Sequence, residues 1–166
     1  MGQQQLLLVI LVTILVGIAT VVAINVFGTA AEEANRDAVR QDLLQAAAAA
    51  QAIYTKPTAL GGAQRNFQRQ TETPPLTLRD IMSQLNIAGR FVNTEAGATD
   101  PNWINENAEY EVAVENEYSL LLTAVPTSWS EDILMRVCRD GVTRTWEYEI
   151  TTDGGTPTLA CAAPPE

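Results

Sequence analysis

The side chains that could do chemistry are few in this chain of 166 residues. Histidine is absent, and so are the G-x-S-x-G, C-x-x-C and phosphate-loop patterns of nucleophilic, redox and nucleotide sites. One polar stretch, residues 100–107, carries carboxylate and amide oxygens of the kind that bind calcium. Its spacing departs from the D-x-[DN]-x-[DN]-G pattern because position 104 is Ile104. We interpret this stretch as an ordinary polar loop and expect no enzymatic activity, cofactor or metal.

The charged residues also argue against some partners. The formal net charge is −10, and glutamates are dense in residues 106–117, a pattern typical of a solvated strand face. Arg65 and Arg69 lie near Lys56 in the sequence and form a small basic spot, which we interpret as a contact with another protein subunit rather than with DNA. Nucleic-acid binding needs a basic stripe, so no nucleic-acid partner is expected.

Two cysteines, Cys138 and Cys161, lie near the C-terminus of a chain that begins with a membrane-type segment. An even cysteine count in that context favours one disulfide and an oxidising compartment. The alternative is a pair of unbonded buried thiols. A bond would close a loop of about 22 intervening residues and would stabilise the fold by roughly 3 kcal/mol in the loop-entropy description.

The rest of the chain is organised around an uncharged apolar run from Leu6 to Ile24. At about 1.5 Å per residue, a helix here would be roughly 28 Å long, about the thickness of a bilayer core. It is apolar on every side and must therefore be buried on every side. Residues 1–5 lack the basic start of a signal peptide. Gly17 either allows close helix packing or marks a point where the helix loosens.

The helical pattern continues beyond this run, because no proline precedes Pro57 and residues 29–54 are rich in alanine. We predict one helix over residues 1–54, with a disruption, if any, between Gly17 and Gly28. In its amphipathic second half, apolar side chains recur every four and three residues and should pack on a sheet. These residues are Val39, Leu43, Ala46, Ala50 and Ile53.

Downstream, residues 55–107 predict a connection with one short helix, capped by Thr77 and Asp80. The period then changes from 3.6 to 2, and residues 108–151 predict a four-stranded antiparallel sheet with a tight turn at Asp140–Gly141. Residues 138–161 would form a disulfide-bounded loop. The predicted fold is α+β: residues 1–28 form the apolar half of a long helix, and residues 29–166 form a globular head.

This order of elements resembles the bacterial type IV pilins and the related pseudopilins. The resemblance covers the whole chain as an arrangement and is concentrated at residue level in positions 1–54. It departs from the family at two positions: Gln5 stands where a glutamate is expected, and Val22 where a proline is frequent. Gln5 could hydrogen-bond the terminal amine of a neighbouring subunit but brings no charge.

The resemblance implies a structural subunit that polymerises into an extracellular pilus-like filament for adhesion, motility or surface attachment. Its partners would be copies of itself, the inner membrane before assembly, and the pilus assembly machinery, and the disulfide loop would decorate the filament exterior. The expected filament core comprises the following residues: Met1, Gln5, Leu6, Leu7, Leu8, Val9, Ile10, Leu11, Ile14, Leu15, Val16, Gly17, Val21, Val22, Ile24 and Phe27.

Two alternatives remain open from the sequence. The chain could be a single-pass, membrane-anchored periplasmic binding domain that stays monomeric. It could also be a pseudopilin of a secretion system of the type II kind, which forms only short assemblies. Electron microscopy of the purified protein separates long filaments from short or absent ones.

Overall fold

The computed structural model describes residues 2–95, 97–152 and 154–161. The chain divides into two compact units, Met1–Ala34 and Asn35–Glu166, and each is described by itself. One helix, α1 (Gly2–Thr55), supplies all of the helical structure of the first unit and continues into the second. The predicted long helix is confirmed. It passes Gly17 and Gly28 without interruption, so the disruption considered there is not present.

The second unit adds a short 3-10 turn, a second helix and six strands. Helix α2 begins with the predicted cap, because the Asp80 backbone N–H donates to the Thr77 hydroxyl and the Thr77 backbone N–H donates to the Asp80 carboxylate, each at 3.1 Å. The remaining elements follow in chain order: 3-10 turn (Thr58–Leu60), α2 (Leu78–Gln84), β1 (Arg90–Phe91), β2 (Trp103–Ile104), β3 (Ala108–Asn116), β4 (Ser119–Pro126), β5 (Ile133–Arg139) and β6 (Trp146–Thr151).

The six strands form one antiparallel sheet in chain order, so the prediction of four strands is wrong. The two additional strands, β1 and β2, have only two residues each and lie in the region predicted as a connection. They extend the edge of β3, where Trp103 pairs with Tyr110. The Phe91 and Trp103 rings meet edge-on at 4.7 Å, and the Arg79 guanidinium lies 3.7 Å from the centre of the Phe91 ring. These ring contacts hold the short strands in place.

The turn between β5 and β6 also differs from the prediction. It is a loop over residues 140–145 rather than a tight two-residue turn, with β6 beginning at Trp146. The Asp140 carboxylate accepts hydrogen bonds from the backbone N–H groups of Val142 and Thr143, at 2.8 and 2.6 Å. Because a short polar side chain can bond the backbone ahead of it, Asp140 stabilises this wider loop.

The core of the second unit lies between the sheet and the second half of α1. The five α1 residues expected to pack there are all at most 3% exposed. They belong to one apolar cluster with strand residues such as Tyr110, Leu122 and Met135, of which Leu122 and Met135 pair across β4 and β5. Ala46 and Ala50 have no exposed surface, and their small side chains let the helix backbone approach the sheet closely.

The disulfide between Cys138 and Cys161 is present, with the Cα atoms 5.9 Å apart, which confirms that prediction. Side chains on the strands hold the segment that leads to Cys161. Arg136 donates to the backbone carbonyls of Pro157 and Leu159, at 2.7 and 3.1 Å. The same guanidinium forms two hydrogen bonds of 2.7 Å with Glu115, which raise the pKa of Arg136. The C-terminal segment is therefore tied to the sheet both covalently and by charged hydrogen bonds.

Candidate functional site

The feature of the first unit that could serve a function is its apolar helical surface. We call residues 6–27 of α1 the apolar segment. Its large side chains are between 48% and 74% exposed in the single chain, with Phe27 the most exposed. Exposed apolar patches of this extent mark membrane or protein interaction sites. All members of the expected filament core from Leu6 to Phe27 lie on this surface. Gln5 is exposed just before it, and Met1 lies outside the described residues.

The two threonine hydroxyls of the apolar segment are bonded within the helix. The Thr13 hydroxyl donates to the Ile10 carbonyl at 2.9 Å, and the Thr20 hydroxyl donates to the Val16 carbonyl at 2.8 Å. Such bonds to the preceding turn let threonine occur in a helix that lies away from water. The segment therefore offers its surroundings mostly methyl and methylene groups, and Asn25 near its C-terminal end is its one amide side chain.

Length and charge distribution define the ends of this surface. Helix α1 is long and apolar enough at its N-terminal end to cross a membrane. The first charged side chain in the sequence is Glu32, after which charged residues become frequent. An alanine-sized side chain at Gly17 or Gly28 would meet no atom within 4 Å. Neither glycine is therefore required by packing inside the single chain.

The polar loop considered for calcium uses its oxygens to brace the fold. The Asn105 side-chain oxygen accepts hydrogen bonds from the backbone N–H groups of Asn107 and Ala108, at 2.8 and 2.9 Å. The Asn102 amide donates to the Glu109 carboxylate at 3.0 Å. In the part of the chain that the structure describes, no group of three or more histidine, cysteine, aspartate or glutamate side chains could hold a metal ion.

A half-buried polar cluster joins α1 to the sheet and was not anticipated from the sequence. The Tyr110 hydroxyl donates to the Asp42 carboxylate at 2.6 Å, and the Asn105 amide donates to the same oxygen at 2.9 Å. Burial of the ring raises the pKa of Tyr110, and the hydrogen bond to Asp42 and its negative charge raise it further. The only feature of the sequence that could have indicated this cluster was Asp42, a carboxylate directly before the buried Leu43. This cluster links α1 to β3 and to the loop before it.

The three residues expected to form a basic spot, Lys56, Arg65 and Arg69, have different contacts in the structure. Lys56 donates to the Gln84 side chain at 2.8 Å, and Arg69 forms a 2.6 Å ion pair with Glu72. Arg65 instead lines a cleft of 340 Å³ with arginines from the β5–β6 region.

Two features of the described residues thus stand out for function: the apolar segment of the first unit and the arginine-lined cleft of the second. The disulfide and the Asp42–Tyr110–Asn105 cluster stabilise the head. Comparison with models of protein families, with curated proteins and with solved structures gives no match to this chain.

Proposed function

We propose that this chain is a structural subunit that polymerises through its N-terminal helix into an extracellular filament of the type IV pilus kind. The observation that carries the proposal is the apolar segment, which is exposed on every face of a helix that continues into a folded head. A membrane would bury this surface before assembly, and neighbouring copies of the helix would bury it in the filament.

The energetic argument follows from the exposed side chains. Moving one large aliphatic side chain out of water contributes about 1.5–3 kcal/mol, and the segment carries such side chains over five to six turns. The total is tens of kcal/mol, far more than the net stability of a small domain. The segment therefore has no favourable state as a free helix in water.

The polar, uncharged side chains near the N-terminus limit the kinds of contact that copies of the chain could form there. Residues 2–31 contain no charged side chain, and Gln3, Gln4 and Gln5 are polar residues near the N-terminus that would enter a core. Buried amides need hydrogen-bond partners, which the backbone or amides of adjacent copies can supply. Because Gln5 brings no charge, assembly should depend little on an ion pair at that point.

A second candidate function is supported by the same helix. Its length and composition suit a single membrane span, so the head could instead be a monomeric domain held at a membrane surface. The two proposals differ in what finally surrounds the apolar segment. In the filament, other copies of the segment replace the lipid; in the anchor, the segment stays in the lipid. A pseudopilin would share the filament contacts but form only short assemblies.

The test compares the parent protein, Val16→Asp and Glu33→Gln, each expressed in cells that carry a pilus assembly machinery. Val16 is 55% exposed in the middle of the apolar segment, so the aspartate would place an unpaired charge in the filament core. Negative-stain electron microscopy should show long filaments for the parent and Glu33→Gln and none for Val16→Asp.

The membrane fraction of the same cells serves as the control. An aspartate at mid-span costs about 2.5–3.5 kcal/mol on insertion scales, which a span this apolar should tolerate. Val16→Asp should therefore remain in the membrane while filaments disappear. Long filaments formed equally by both variants would exclude the segment from the core. A parent protein found only as membrane-bound monomers would favour the anchor.

A further inference from the structure

The arginine-lined cleft of the second unit is a candidate ligand site that is separate from the apolar segment. Seven residues line it: Tyr54, Arg65, Tyr118, Arg139, Asp140, Gly141 and Arg144. Its 340 Å³ is within the range of small-molecule pockets. Three of the ten lysine and arginine residues of a chain with net charge −10 therefore meet in one depression.

The three guanidinium groups are not neutralised by the protein. Arg65, Arg139 and Arg144 form no ion pair and donate no side-chain hydrogen bond to any residue in the described ranges. Arg139 lies over the Tyr54 ring, 5.6 Å from its centre, which orients the guanidinium without consuming its donors. Fifteen N–H donors in all, five on each group, are thus left for solvent or a ligand.

The carboxylate in the cleft does not cancel this charge. Asp140 already accepts two backbone hydrogen bonds and one from the Thr143 hydroxyl at 2.9 Å. The bond from the Thr143 backbone N–H lowers the pKa of Asp140 most, followed by the bond from the Thr143 hydroxyl. Asp140 is therefore ionised at neutral pH and turned toward its own loop. The cleft keeps a net charge of about +2 by this count of three arginines and one aspartate.

We propose that this cleft binds a small ligand with two or more negative charges on carboxylate or phosphate oxygens. The planar fork of arginine matches both oxyanions with paired N–H···O bonds, and three forks around one cavity suit a ligand larger than a single carboxylate. The Tyr54 and Tyr118 rings form apolar walls against its carbon atoms. This site lies entirely in the second unit and does not depend on filament assembly.

The experiment is isothermal titration of the full chain in nonionic detergent at pH 7.5, with citrate and inorganic phosphate as probes and chloride as the reference anion. Saturable binding of citrate, of phosphate or of both, weakened by added salt, is expected. Citrate without phosphate assigns carboxylate ligands, and phosphate without citrate assigns phosphorylated ones. No saturation by either probe overturns the proposal.

Matched variants separate the site from general charge effects. Arg65→Gln and Arg144→Gln each remove one exposed cation from the cleft, whereas Arg90→Gln removes an exposed cation outside it. Each cleft variant should weaken binding about tenfold, the value expected for one lost charged hydrogen bond. Arg90→Gln should bind as the parent does. Equal weakening by Arg90→Gln and Arg144→Gln would show that net charge, not the cleft, attracts the anion. Thermal unfolding of each variant verifies that the head is folded.

Discussion

Replacing Tyr110 by phenylalanine should destabilise the head by about 2 kcal/mol, the usual loss for a hydrogen bond to a charged group. The ring is fully buried between β3 and α1, and its hydroxyl donates to the Asp42 carboxylate at 2.6 Å. Tyr110→Phe keeps the ring and removes only that donor. Asp42 would retain the Asn105 amide at 2.9 Å, so the carboxylate loses one of two side-chain donors rather than both.

The assay is thermal or urea unfolding of the full chain in detergent, followed by circular dichroism. For a head of this size, about 2 kcal/mol corresponds to a fall in Tm of about 8 °C. Tyr148→Phe is the matched control, because Tyr148 is 56% exposed and donates no side-chain hydrogen bond within the described residues. The control should change the free energy of unfolding by less than about 0.5 kcal/mol.

A third variant tests the assignment of the partner. Asp42→Asn leaves an oxygen that can accept from the Tyr110 hydroxyl, so adding Tyr110→Phe to it should cost less than Tyr110→Phe alone. Equal losses for Tyr110→Phe and Tyr148→Phe would refute the reasoning. So would a double variant whose loss is the plain sum of the single ones, because then the two groups would not be coupled.

Three further outcomes are expected. Because the pKa of Tyr110 is raised in the folded head, its contribution is complete below about pH 10 and is lost progressively as pH rises from there toward the raised pKa. The urea midpoint should therefore fall as pH rises above about 10, and fall less in Tyr110→Phe. Cys161→Ser should lower the free energy of unfolding by roughly 3 kcal/mol and expose residues 154–161 to proteases, and a parent that is equally sensitive would contradict this. Thr77→Ala should cost about 1 kcal/mol through loss of the α2 cap, measured by urea unfolding. An unchanged midpoint would show that the cap does not stabilise the head.

The sequence was informative where a pattern is local and repeated. The long helix follows from the absence of proline over fifty residues, and its buried face follows from the spacing of Val39 to Ile53. Strands β3 and β5 show the period of two that a half-buried strand requires, and β4 was recognisable as a mostly apolar run. The α2 cap was readable because its two side chains lie three residues apart.

The features that could not be predicted from the sequence depend on contacts between residues far apart in the chain. Strands β1 and β2 have two residues each, too few for any period, and they exist because β3 offers them an edge. Asp42 and Tyr110 are 68 residues apart in sequence, so their hydrogen bond is set by the register of helix on sheet. The arginine cleft likewise gathers residues from three separate loops and strands, whereas the basic spot expected from sequence used neighbours along the chain.

The two halves of α1 therefore differ in how their apolar side chains are distributed around the helix. From Val39 onward, the apolar side chains of α1 are limited to one face, and the sheet of the same chain covers that face. From Leu6 to Phe27 they occupy every face, and the threonines there keep their hydroxyls bonded to the helix backbone. A helix that only had to cover the head could have begun near Glu32, the first charged residue of the chain. The 22 positions of the apolar segment carry no charge and form an unbroken helix, and their exposed aliphatic side chains are the observation from which we propose burial in lipid and then among copies of the same segment.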